Sequence, residues 1–91
     1  MEILDLKAFN LLAELLSISA AAKRLDVSQP TISRRIRKLE RELGVSLVYR
    51  GKRPLQLTSQ GISLAKVAGT LVKTVEGLQT SMAEQEGENP V

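Results

Sequence analysis

Residues 28–44 constrain the fold more than any other stretch of the chain. Ser28 is placed to cap a helix, and Pro30 falls in its first turn, where the N–H that proline lacks would have had no intrahelical partner. Ile32, Ile36, Leu39 and Leu43 then recur at steps of 4, 3 and 4 residues. At about 100° per residue they form one stripe, which must face a core. Gly44 follows as the left-handed residue that ends the helix. The opposite side is centred on Pro30, Arg34, Arg37 and Arg41, with Thr31 and Ser33 flanking it near the start and Lys38 further along. Such a helix buries aliphatic side chains on one side and turns cations outward on the other.

The flanking segments supply what this helix packs against. Leu6, Phe9, Leu12, Ala13 and Leu16 recur helically over 3–16. Ser17 can cap a short helix over 18–25, whose alanine run lets a neighbour approach closely, and Asp26-Val27-Ser28 breaks the pattern. Two short helices joined by three turn residues, the second basic on its outer face, make a helix-turn-helix. Beyond Gly44, Val45–Arg50 and Leu55–Thr58 read as extended runs around Gly51-Lys52-Arg53-Pro54, a hairpin with a basic tip.

Thr58 or Ser59 can then cap a last helix expected to reach about Glu84. Its Leu64, Ala68, Leu71, Val75, Leu78 and Met82 follow a 4-3-4-3-4 spacing. A helix of about 26 residues spans about 39 Å, comparable with the diameter of the rest of the domain. The seam therefore cannot all be buried within one chain, and pairing with a second copy is expected. Gln85–Val91 are acidic and polar, interrupted by Gly87 and Pro90, and are expected to form a frayed tail. The expected fold is mainly α: a winged helix-turn-helix of three helices and a hairpin over 1–58, a dimerisation helix over 59–84, and the tail. Ninety-one residues support one such core and no second.

The net charge of +3 conceals a segment, 34–53, that holds eight Lys/Arg against Glu40 and Glu42. A cluster of that density suits a polyanion, because neutralised phosphates release condensed counterions. The chain has no cysteine and no histidine. That removes disulfides, thiolate chemistry, the commonest general base and the commonest metal ligand, so no enzyme activity, metal or cofactor is expected. No apolar run approaches the ~20 residues of a membrane span, and Glu2 and Asp5 stand where a signal peptide would be basic. A cytoplasmic protein without a membrane partner is expected. With Phe9 and Tyr49 as its only aromatics, the chain also lacks the successive stacking platforms of single-strand binders, and Tyr49 is expected to pack.

Double-stranded DNA is the polyanion that fits. A single helix fills the major groove, and its N-terminal residues reach base edges. Gln29, Pro30, Thr31, Ser33 and Arg34 occupy that position. Arg37, Lys38 and Arg41 are placed further along for phosphates. The N-caps Ser17 and Ser28 stand at helix starts, where free N–H groups favour an anion. Lys52 and Arg53 at the hairpin tip can enter a minor groove. A protein-interaction module and an RNA-binding winged helix are the alternatives.

One ordered set of residues carries a family resemblance. It runs Leu6…Phe9, Ser17-x-Ser19-x-Ala21-Ala22-x-x-Leu25-x-Val27-Ser28-Gln29-Pro30-x-x-Ser33-x-x-Ile36-x-x-Leu39-Glu40-x-x-Leu43-Gly44, Leu47-x-x-Arg50-x-x-Arg53 and Leu57-Thr58-x-x-Gly61. Over about residues 3–61 the chain resembles the N-terminal DNA-binding domain of LysR-type transcriptional regulators, and the helix that follows resembles their linker helix. The resemblance implies a winged helix-turn-helix with Arg50 near phosphates and Arg53 in the wing. It also implies a homodimer that places two recognition helices on an interrupted palindrome. Leu16 stands where the family often has glycine or a small residue, and Leu47-Val48 replaces a frequent Leu-Phe pair. The family's effector-sensing domain is expected to be absent, so this chain is not expected to bind a small-molecule effector.

Overall fold

The computed structural model describes the backbone of residues 1–88 and the side chains of 1–85. Helix α1 spans Ile3–Leu15, α2 Ile18–Leu25, α3 Gln29–Leu43 and α4 Ser59–Glu88, with a hairpin of β1 (Val48–Tyr49) and β2 (Gln56–Leu57) between the last two. The helix-turn-helix and the wing therefore lie where the sequence places them. α4 runs to Glu88, past the expected end at Glu84, which takes four residues out of the expected tail; Asn89–Val91 lie outside the described residues.

α1 packs against all three other helices. Ala8, Phe9 and Leu12 from α1 meet Ala21 and Ala22 of α2, Ile32, Ile36 and Leu39 of α3, Leu47 and Val48 at the hairpin, and Ala68 of α4. Burying each large side chain contributes about 1.5–3 kcal/mol. The two alanines of α2 leave room for close helix contact. Leu43, expected in the same stripe, is 41% exposed because the last turn of α3 overhangs this cluster.

Side-chain caps fix the starts of α2 and α3: the Ser17 hydroxyl accepts from the Ala20 N–H at 3.1 Å and the Ser28 hydroxyl from the Thr31 N–H at 3.3 Å. Each of the first three helices ends on a left-handed residue, namely Leu16 (φ 51°), Asp26 (φ 57°) and Gly44 (φ 70°). Only Gly44 adopts that conformation without a Cβ penalty. At Leu16 it turns the carbonyl toward the hairpin, where it accepts the Leu55 N–H at 3.2 Å and ties the returning strand to the α1–α2 turn.

The wing strands pair antiparallel, Val48 with Leu57 and Tyr49 with Gln56, and are shorter than the extended runs expected from sequence. The preceding backbone is engaged elsewhere. The Leu47 N–H donates to the Glu40 carboxylate at 2.7 Å, and the Ser46 carbonyl accepts the Thr58 hydroxyl at 2.6 Å. Thr58 also caps α4, its Oγ1 accepting the Gly61 N–H at 3.0 Å. A Cβ on Gly61 would lie 2.1 Å from the Leu47 carbonyl oxygen, so α4 can start here only with a glycine at that point.

The molecule measures 55 × 25 × 19 Å, because α4 projects beyond the domain. Its first half rests on α1, with Ala68 (0% exposed) and Val72 (6%) buried. Ala68, expected in an intermolecular seam, is therefore core of its own chain, and Leu64 also packs against that core. The rest of the seam differs. Val75 is half-buried, while Leu71, Leu78 and Met82 are exposed, joined by Val67. Among the described residues no helix is long and apolar enough to cross a membrane.

Candidate nucleic-acid interface

α3 has a free crest between two tethered flanks. Arg34, Arg37 and Arg41 are exposed on the crest and form no ion pair among the described residues. Ser28, Thr31 and Arg34 stand one turn apart and are linked: the two hydroxyl oxygens lie 2.9 Å apart, and Arg34 Nη2 donates to Thr31 Oγ1 at 3.2 Å. Gln29 and Pro30 are exposed beside them, and Ser33 is half-buried.

The α1 flank holds the other two cations. Arg35 Nη1 lies 3.0 Å from Asp5 Oδ1, while Lys38 Nζ lies 2.8 Å from Glu2 Oε1 and 3.1 Å from Asp5 Oδ2. Burial pushes the Asp5 carboxyl pKa up. The Glu2 backbone N–H, Lys38 and Arg35 outweigh that and hold it below the ordinary carboxylate value. Hydrogen bonding and charge from Lys38 lower Glu2 in the same way, and hydrogen bonds to Glu2 and Asp5 raise Lys38. Lys38, expected at phosphates, thus turns toward α1 and is already neutralised by two carboxylates. Glu2 and Asp5 are functional neighbours of this site that the motif pattern alone does not indicate. The signal was present, since Asp5 shares a helical stripe with Phe9 and Leu12, an unusual place for a carboxylate without a partner.

On the opposite flank Glu40 accepts from Arg50 Nη2 as well as from the Leu47 N–H. In the wing, Gly51 takes a positive φ of 79°, and Lys52 Nζ sits 5.7 Å from the centroid of the Tyr49 ring. Tyr49 itself is half-exposed, so it is buried less than a packing residue would be.

Two concavities bring the candidate residues together. A cleft of about 660 Å³ is lined by Ser17, Ser19 and Gln29 from the helix-turn-helix and by Lys52, Arg53 and Pro54 from the wing. An open groove of about 410 Å³ is lined by Thr31, Arg34, Arg37 and Arg41 together with Asp5, Arg35 and Lys38. Hydroxyls, an amide and cations thus line two concavities, one between the helix-turn-helix and the wing and one along α3. Such a surface can bind phosphates and present donors and acceptors to base edges.

The sequence pattern described as "Bacterial regulatory helix-turn-helix protein, lysR family" matches residues 3–62. Over 88 residues the chain is 44% identical to the DNA-binding transcriptional dual regulator OxyR of Escherichia coli K12; the match covers 97% of this chain and 28% of that protein. It thus spans little more than a quarter of this curated relative. Among solved structures, the BenM DNA-binding domain in complex with catB site 1 DNA superposes with a TM-score of 0.86 at 35% identity, covering 98% of this chain and 99% of that one. Vibrio fischeri DarR in complex with DNA superposes at 0.90 and 35% identity, over 98% of this chain and 30% of that one. With a winged helix-turn-helix in place and two thirds of its length matched, the chain belongs to the lysR family of bacterial regulatory helix-turn-helix proteins.

Proposed function

We propose that the chain binds double-stranded DNA sequence-specifically in transcriptional regulation in the cytoplasm, as a homodimer on an interrupted palindrome. α3 enters the major groove with Gln29, Pro30, Thr31, Ser33 and Arg34 toward base edges. Arg37, Arg41 and Arg50 meet phosphates, along with the caps Ser17 and Ser28, and Lys52 and Arg53 of the wing approach the adjacent minor groove. Lys38 is left out of the phosphate set because Glu2 and Asp5 already hold it. Two copies pair through Leu71, Val75, Leu78 and Met82 of α4. The reading includes no catalysis.

The exposed crest of Arg34, Arg37 and Arg41, which lines the groove along α3 and forms no ion pair among the described residues, carries this reading. The DNA complexes of BenM and DarR support it. Selection of bound sequences from random duplexes tests it. Two inverted half-sites should emerge, with an affinity for them that falls steeply with salt, by a slope of about 0.9 per phosphate contacted. Recovery of unselected sequence, or binding indifferent to salt, would count against it.

A further inference from the structure

Glu40 is an acidic residue on the basic side of the molecule, and its carboxylate is committed to three groups. Oε2 accepts the Leu47 N–H at 2.7 Å and, more weakly, the Ser46 hydroxyl at 3.4 Å, while Oε1 accepts from Arg50 Nη2. Its side chain is only 14% exposed. Leu47 is held through its carbonyl too, which accepts the Thr58 N–H at 3.0 Å and abuts Gly61. The backbone on both sides of Leu47, which leads into β1, is thereby fixed between α3 and the start of α4. Arg50 follows the same strand and gives one nitrogen to Glu40, which leaves its other N–H donors for a second acceptor at 45% side-chain exposure.

We propose that Glu40 is a positioning residue for DNA binding, which sets the wing against the recognition helix and holds the Arg50 guanidinium ready for a phosphate. The proposal rests on the DNA reading above. A guanidinium already held loses less freedom when the phosphate arrives, and a wing locked to α3 presents both contacts at fixed spacing.

The proposal opposes simple electrostatics in sign. Removing a negative charge from a basic surface should tighten DNA binding and steepen its salt dependence. If Glu40 positions Arg50, Glu40→Gln instead weakens binding and makes the salt slope shallower. The test measures fluorescence anisotropy of a selected duplex across a salt series, with wild type, Glu40→Gln, Arg50→Ala, their double variant, and Glu42→Gln as a charge control. Glu42 is exposed, and its ion pair is with the Met1 amine.

Glu40→Gln is expected to bind about fivefold to tenfold more weakly, with a slope lower by up to about 0.9, while Glu42→Gln binds as well as wild type or better. In the Arg50→Ala background, Glu40→Gln should add less than about twofold, since its partner is already gone. Tighter binding by Glu40→Gln, or losses that multiply in the double variant, overturns the proposal. If Glu40→Gln melts early, Glu40→Asp, which keeps the charge and shortens the reach, is read in its place against the same expected loss. Wild type failing to bind any duplex would overturn the DNA reading itself, a result distinct from both.

Discussion

α3 and α4 both bury an inner apolar face, and they differ in what they leave outside. α3 places Ile32, Ile36 and Leu39 in the core and leaves a crest of arginines. α4 places Ala68 and Val72 in the core and leaves Val67, Leu71, Leu78 and Met82 in water. A solvated arginine crest is stable as it stands and gains only when a polyanion releases its counterions. An exposed aliphatic stripe forfeits about 1.5–3 kcal/mol per large side chain until something covers it. The two helices therefore select partners of opposite chemistry. Added salt should separate them, weakening DNA binding on α3 while leaving apolar pairing on α4 intact or stronger.

The largest expected difference is in stability. Ile36→Ala, at a side chain 1% exposed, should lower unfolding free energy by about 2–5 kcal/mol in urea titration. Leu78→Ala, measured at a concentration dilute enough to keep the chain monomeric, should change it by no more than about 0.5 kcal/mol. A large loss at Leu78 under those conditions would mean that the stripe already has a partner within its own chain.

Next comes assembly. The double change Leu71→Glu and Leu78→Glu sets two carboxylates per chain on the proposed seam, where pairing would desolvate them. A folded monomer by sedimentation is expected, with much weaker binding to a two-half-site duplex and binding to a single half-site retained. A persistent dimer would remove α4's outer stripe from the interface and end the contrast with α3.

A smaller effect distinguishes cations within α3. Arg41→Ala should reduce the salt slope of DNA binding by about 0.9, and Lys38→Ala should leave it nearly unchanged, because Lys38 already faces Glu2 and Asp5. Equal reductions would show that Lys38 exchanges its carboxylates for phosphate when DNA binds.

These contrasts also mark what could be read from the sequence. The period of Ile32, Ile36 and Leu39, the Ser17 and Ser28 caps and the Gly44 stop defined α2 and α3, because local geometry dictates each of them. Burial depends on where other elements end, which periodicity does not report. That is why Leu43, on the core stripe by period, is exposed, and why Ala68 of the heptad seam and Val72 outside it are buried in their own chain. The spacing on α4 was read as one seam, whereas the helix divides its apolar residues between two neighbouring faces. In the site, the cleft joining Ser17 and Gln29 to Lys52 and Arg53 unites residues that the sequence had suggested separately. The Asp5–Lys38 and Glu40–Arg50 pairs escaped notice because one joins helices 33 residues apart in the chain and the other joins a helix to a hairpin.

The smallest expected effect concerns the tethered flank of α3 and is read through pH. Asp5 is buried against Arg35 and Lys38, and its pKa is lowered from the ordinary value of 3.8. The unfolded chain therefore takes up this proton at a higher pH than the folded one. The stabilisation is complete above the ordinary value and is lost as pH falls through the lowered one. Glu2, lowered by the same Lys38, acts in the same direction. Asp5→Asn should thus be less stable than wild type at pH 7 by about 1 kcal/mol, a charged hydrogen-bond contribution discounted for partly exposed partners. Because asparagine does not titrate, that gap should narrow as pH falls below about 4. Urea midpoints at pH 7 and pH 3 check this, and a gap of equal size at both would mean that Asp5 supports α3 by its shape and not by its charge.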